Sequence, residues 1–278
     1  MWEQENAQQT QQPQQAEQGY YQEEQYVDIG MVEADAVNAY MARVFGWMFI
    51  GLLVTALTTV GILWGINNVL AFEDFLFWNL GIIMIVAIVV ELILVVTISS
   101  RVTKMNPFTA KFCFILYAAL NGLTFGFVAL MFAYTVFDNP MQTVGMAFGI
   151  TSVAFGAMAI FGMITKTDLT RFGNLFFMGL MGLVIASVAN WFVGGAMLDL
   201  AIIVFGLFLF MGLTAYHSHN IKHHYAQIAL SENGAEAVGA RVDQQGLASN
   251  LAITGALTLY LAFINMFMFI LRLLARRN

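Results

Sequence analysis

Charge is scarce in this chain. Asp, Glu, Lys and Arg make up 10% of its 278 residues, 60% are hydrophobic, and the mean hydropathy is +0.75. A water-soluble domain carries roughly 25% charged residues, and a fold of this length could not hide so much apolar side chain from water. The solvent it matches is the hydrocarbon of a bilayer. Cysteine is reduced to Cys113, inside an apolar run. That excludes an internal disulfide and any cysteine-based motif, and the residue reads as a buried structural thiol. Basic residues are missing from 1–36, which hold eight acids: Glu3, Glu5, Glu17, Glu23, Glu24, Asp28, Glu33 and Asp35. The other nine acids against eleven bases leave the rest of the chain at +2, so the net charge of −6 belongs to that segment and not to an acidic groove. Also absent is a Gly-x-Ser-x-Gly elbow, which removes one hydrolase route.

What is present organises around that imbalance. The N-terminal segment is rich in Gln and lacks a periodic apolar face. Such composition buries too little surface to offset the entropy of ordering. Residues 1–37 therefore read as a disordered acidic tail, with Tyr20, Tyr21 and Tyr26 as a conceivable docking element, and 38–278 as a membrane domain. A span needs about 20 apolar residues. Runs of that kind lie near 44–66, 78–98, 109–136, 141–164, 173–194, 198–219 and 249–274. The expected fold class is all-α integral membrane, a bundle of seven transmembrane helices. The first run follows a long acidic stretch and not a short basic one, so it reads as an uncleaved span and not a secretory signal.

Lys and Arg set the expected orientation. Arg43, Arg101, Lys104, Lys111, Lys166, Arg171, Lys222 and Arg241 flank the first span or lie around the even-numbered breaks, and the first, third and fifth breaks hold none. This places the N-terminus in the cytoplasm and fits a bacterial plasma membrane, with an endoplasmic-reticulum membrane as the alternative. One conflict remains: seven crossings leave Arg272, Arg276 and Arg277 outside, unless the last run fails to cross. Gly122-x-x-x-Gly126 and Gly145-x-x-x-Gly149 read as close-packing surfaces between helices. No internal repeat is visible, which argues against a transporter of duplicated halves.

Polar residues inside the runs are the candidates for function. Glu91 stands in Val89-Val90-Glu91-Leu92-Ile93, well inside the second span. An acid at the centre of a span costs roughly 2.5–3.5 kcal/mol on insertion scales. It should face the bundle interior, a cation or water, either as an ion or proton site or as a structural hydrogen bond to another helix. All four histidines fall in His217-Ser218-His219-Asn220-Ile221-Lys222-His223-His224. On a helix His219 and His223 share a face at the i, i+4 spacing two metal ligands need, although no third ligand can be named. The alternative is a polar helix end snorkelling to the cytoplasmic interface, and His217 is also a candidate pH sensor. Asn121, Asn190 and Asn265 read as interhelical glue, and Asp168 as a helix cap in the loop 165–170.

Several stretches taken in order carry a family resemblance. They are Tyr40-Met41-x-x-Val44-Phe45-Gly46-Trp47-Met48, Asn121-Gly122-Leu123-Thr124, Thr165-Lys166-x-Asp168-Leu169-Thr170, Ile185-Ala186-Ser187-x-x-Asn190, and Gly255-Ala256-Leu257-Thr258-Leu259-Tyr260-Leu261-x-Phe263-Ile264-Asn265. Across about 38–278 the chain resembles the Bax inhibitor-1 family. The resemblance implies a monomeric seven-helix bundle with the last helix at the centre, ringed by six, and a pH-sensitive calcium leak. It implies that the acid matched by Glu91 lines the path, that the Arg matched by Arg101 latches the closed state, and that two aspartates sense pH. Here those aspartates are His217 and Ala262, so the acid pair is gone, and a protonated His217 would repel Arg101. The remaining lone carboxylate is a poor match for a calcium ion, which takes six to eight oxygens.

Three functions follow as expectations. The first is a leak channel or ion-homeostasis protein for calcium or protons around Glu91, with an altered or lost diaspartyl gate. The second is a non-conducting regulator that binds other membrane proteins, including membrane-bound proteases. The third, ranked last, is a metal-dependent hydrolase using the histidine cluster. The chain is therefore expected not to be an enzyme, to need no cofactor, to bind no nucleic acid, and to have the lipid bilayer as its first partner.

Overall fold

The computed structural model describes residues 34–68, 70–101, 105–135, 140–230 and 247–276. The tail reading, with Tyr20, Tyr21 and Tyr26, lies outside these residues except at its end. Seven helices are described: α1 Ala34–Asn68, α2 Leu70–Arg101, α3 Pro107–Thr135, α4 Pro140–Ile164, α5 Gly173–Val193, α6 Ala196–Leu230 and α7 Leu247–Ala275. Each contains a segment long and apolar enough to cross a membrane. Lipid offers no hydrogen-bond partners, so continuous helices that satisfy their own backbones are the expected solution.

Three helices, α1, α2 and α6, extend well beyond the apolar runs read from the sequence. Residues 34–37, read as the end of the tail, form the first turn of α1, where Asp35 suits the positive end of the helix dipole. Val37, Tyr40, Met41, Val44 and Met48 recur at helical spacing and are buried, so packing extends the helix beyond its hydrophobic stretch. Likewise α6 continues past the apolar run that ends at residue 219, through a polar stretch, to Leu230. Its Tyr225 ring stacks on Tyr40 of α1 at 4.3 Å.

At the centre stands α7, as the resemblance implied. Ala252, Ile253, Ala256, Leu257, Leu259 and Tyr260 are all at most 1% exposed. Its principal neighbours are α1, α3, α4 and α6, and not a ring of all six: α2 leans mainly on α3 and α1, and α5 on α6. Those two outer helices present apolar faces such as Ile82, Ile85 and Leu92, and Phe177, Val184 and Trp191, which match lipid. Leu183 is the buried residue of α5.

The conflict at the last run resolves in favour of a full crossing. Asn250 Nδ2 donates to Met105 O at 2.8 Å, holding the start of α7 beside the α2–α3 connection. At the other end Arg272 and Arg276 donate to the two carboxylate oxygens of Asp199, at 2.6 and 2.7 Å, beside the start of α6. Arg276 also donates to Ala196 O at 2.7 Å. The bases that break the orientation pattern are thus partly neutralised by an acid one turn into α6. The preceding α5–α6 corner is made by Gly194, whose φ of +65° suits glycine and whose N–H donates to Asn190 O at 2.7 Å.

Small residues act as expected at one motif and not at the other. A Cβ on Gly122 would meet Thr55 O of α1 at 2.5 Å, so α3 and α1 touch backbone to backbone. Beside Gly145 and Gly149 nothing lies within 4 Å, so that pair makes no helix contact. The closest approach falls at Gly162 of α4, where a Cβ would sit 2.1 Å from Ala215 O of α6. Gly162→Ala should therefore separate α4 from α6 and cost about 1–3 kcal/mol, the range for overpacking. Gly156→Ala, with nothing within 4 Å, should unfold at or above the wild-type temperature. Thermal unfolding of the detergent-purified proteins checks both.

Candidate functional site

Glu91 is carried by α2 to its contact with α3, where its side chain is half-buried. Thr124 Oγ1 of α3 lies 2.8 Å from Glu91 Oε1 and also 3.0 Å from Leu120 O in its own helix. A hydroxyl has one proton. Donated to the carboxylate, it leaves the carbonyl contact unfilled; both contacts are filled when the carboxyl group brings a proton of its own. Glu91 also lies within electrostatic range of the phenols of Tyr117 and Tyr260. Of the two readings given to this acid, the hydrogen bond to a neighbouring helix is present in the structure.

Beside it lies a hydroxyl network that the motifs did not single out. Thr55 Oγ1 of α1 is 2.7 Å from Tyr260 OH of α7, 2.9 Å from Ala118 O of α3 and 3.0 Å from Gly51 O. The two carbonyls can only accept, so Thr55 donates to one of them and the phenol donates to Thr55. Three helices meet at this one oxygen. The Tyr260 ring packs edge-on against Phe114 and Tyr117, at 6.0 and 5.8 Å between centroids. Asn121 lies against the Tyr117 hydroxyl, and Thr59 Oγ1 donates to Gly122 O at 2.9 Å. One signal was available in the sequence: Thr55, Thr58 and Thr59 place hydroxyls at i, i+3 and i+4 in an apolar run. The amides expected to join helices do so less. Asn121 Nδ2 donates to Tyr117 O, and Asn265 Nδ2 to Leu261 O, each four residues back in its own helix.

The other gate positions are dispersed. Arg101 ends α2, is exposed, and makes no ion pair or hydrogen bond with a described residue. His217 is half-buried on α6, its described ring contact being with neighbouring Tyr216 at 5.3 Å. Ala262 is 3% exposed and belongs to the packed core around α7. No described contact links Arg101 to His217.

His219 and His223 do share a face, with ring centroids 4.1 Å apart. They are not a snorkelling end: the residues are 2% and 9% exposed, wedged where α6 meets the end of α4, and His224 is the exposed member of the cluster. His219 Nδ1 lies 3.3 Å from Gly162 O, and Lys222 Nζ donates to Met163 O at 3.0 Å. Among the described residues no group of three His, Cys, Asp or Glu converges to hold a metal ion. Asp168, within electrostatic range of both rings, serves as an Asx-type turn anchor and not the cap itself: its Oδ1 accepts from Thr170 N at 2.9 Å and from the Thr170 hydroxyl, and its Oδ2 from Arg171 Nε at 3.3 Å. The Thr170 hydroxyl above all holds this carboxyl below the usual carboxylate range.

Comparison with known proteins gives a consistent picture. A family profile described as an inhibitor of apoptosis-promoting Bax1 matches residues 37–278. An inner membrane protein of Escherichia coli, YbhL, is 36% identical over 245 residues, covering 87% of this chain and 93% of the relative. An uncharacterized protein of Deinococcus radiodurans is 35% identical over 239 residues, or 86% and 91% of the two chains. An uncharacterized membrane protein of Streptococcus pyogenes is 31% identical over 255 residues, or 90% and 96%.

Two measurements check this geometry. In a double-mutant cycle, Thr55→Val and Tyr260→Phe should be coupled by about 0.6–1.7 kcal/mol in unfolding experiments, the range for hydrogen bonds between membrane helices; additive effects would mean the 2.7 Å contact contributes nothing. Asp168 has a lowered folded-state pKa, so its stabilisation is complete above the unfolded pKa and is lost as pH falls through the folded one. Amide exchange at Thr170 should accordingly be faster in Asp168→Ala than in wild type near neutrality, and the two should converge in acid.

Proposed function

Because the chain belongs to the Bax inhibitor-1 family of multi-pass membrane proteins, we propose that it is an ion-leak or ion-homeostasis protein whose pathway passes Glu91. The observation that carries this reading is an ionisable carboxyl held by Thr124 inside an apolar bundle, at the contact of α2 with α3. Such a group is costly to keep in a membrane and is retained where ions or protons use it. The cation is calcium or a proton, the setting a bacterial plasma membrane with the N-terminus in the cytoplasm, and the working unit a monomer. Support for the setting comes from the E. coli relative's description as an inner membrane protein and from the bases gathered at one end of the bundle.

The gate differs from a diaspartyl one. With Ala262 in the packed core and His217 on α6, neither position supplies a carboxylate. A single acid offers two of the six to eight oxygens a calcium ion takes, so selectivity is expected to be weak or to favour protons. The second reading, a non-conducting regulator of other membrane proteins, is favoured by the same two replacements.

Cation flux in proteoliposomes between pH 5 and 8 separates the readings. Wild type should leak, and Glu91→Gln should lower the rate at least about tenfold, as expected for an acid whose charge or proton is used in transit. Equal rates would remove Glu91 from the pathway. A silent wild type that conducts only as His217→Asp with Ala262→Asp would reject the channel for this chain and favour the regulator.

A further inference from the structure

Between α1, α3, α4 and α7 lies a cavity of about 360 Å³, in the half of the bundle towards Arg272. An apolar cavity of roughly 150 Å³ already takes up benzene and stays dry. This one is lined by Phe125, Phe148, Phe263, Phe267 and aliphatic side chains. Its polar side chains are Thr55 and Thr59; the first donates to Ala118 O or Gly51 O and accepts from Tyr260, and the second donates to Gly122 O. Both hydroxyl protons are thus used, and the lining is otherwise apolar, which suits neither a polar ligand nor a standing column of water. Its rim is continuous with the lipid-facing surface: Val60 is 59% exposed and Phe148 49% exposed. The floor, by contrast, is more enclosed: Phe263 is 3% exposed, and Ile264 and Phe267 are half-buried. On the α4 wall stands Gly145, beside which nothing lies within 4 Å.

We propose that this cavity is a binding site for one acyl chain of a bilayer phospholipid, entering sideways from the leaflet on the Arg272 side. Hydrocarbon chains are the abundant molecules at that depth. Each methylene moved from lipid to this cavity keeps an apolar surrounding, while the cavity walls gain the dispersion contacts that an empty space denies them. Gly145 has the role of a vacancy in the α4 wall: it makes no helix contact, and any larger side chain would occupy the space of the chain. Glu91 is not among the residues that line it, and the site stands whether or not the protein conducts.

The test uses the full chain reconstituted in phosphatidylcholine vesicles doped with a phosphatidylcholine carrying a photoreactive group along one acyl chain. Labelled residues are mapped by mass spectrometry. Wild type should be labelled on the floor, at Phe263, Ile264 or Phe267, besides the lipid-facing surface of α5 at Phe177 and Val184. Gly145→Phe should lower floor labelling about tenfold, because the new ring takes the space and the dispersion contacts of several methylenes, and should leave α5 labelling unchanged. Ala56→Leu, on the α1 wall, is the second variant and should act in the same direction. Labelling confined to exposed surfaces in wild type would overturn the proposal, as would floor labelling that survives both variants. Floor labelling abolished by excess free fatty acid, and not by excess unlabelled phosphatidylcholine, would overturn the choice of phospholipid.

Discussion

The contact between α1 and α7 is the constraint on which the rest of the bundle depends. A helix at the centre of a membrane protein cannot use lipid to satisfy or to pack its side chains, so its neighbours must do both. Thr55 performs the first task, joining α1, α3 and α7 through one hydroxyl. The close approach at Gly122, where a Cβ would meet Thr55 O at 2.5 Å, performs the second by drawing α3 onto α1. With these helices in place, Tyr260 is enclosed by Phe114 and Tyr117, and Thr124 is brought to Glu91.

Electrostatics at the two ends of α7 complete the arrangement. Seven crossings from an N-terminus on the basic side oblige the last helix to end on the side without other bases. The bundle accommodates Arg272 and Arg276 there by placing Asp199 between them. The ion pairs are partly exposed, so each stabilises only modestly; their larger effect is to hold the end of α7 against the start of α6. At the opposite end Asn250 joins α7 to the α2–α3 connection, while His219 and Lys222 reach the last turn of α4 and Arg171 pairs with Asp168.

At the two positions where the resemblance implies aspartates, the chain has a core alanine and a half-buried histidine. Ala262 adds to a core that an aspartate would have made polar, and the buried His219–His223 pair extends α6 beyond its membrane run. Besides the buried polar residues of α4 and α6, a hydrogen-bonded group of one carboxyl and several hydroxyls lies between α1, α2, α3 and α7. A proton is held by such groups more readily than a calcium ion, which needs a fuller shell of oxygens.

Composition and periodicity by themselves determined that this chain is a membrane protein of seven helices and that Glu91 is its most costly interior residue. Both follow from transfer free energies, which are properties of side chains and run lengths and need no knowledge of neighbours. The order of motifs pointed further, to the family and to a central last helix. Tertiary structure alone decided the rest. A run of hydropathy cannot report that α6 continues to Leu230, because His219, His223 and Ala226 are buried by neighbouring helices and not by lipid. Nor can spacing tell that Gly122 touches another helix while Gly145 faces a cavity, since both read as the same small-residue pattern. The direction in which a polar group points decides its role. Asn121 and Asn265 turn back to their own helices, whereas Thr55 and Thr124 reach across. That direction is set by helix rotation, which only the packed bundle fixes.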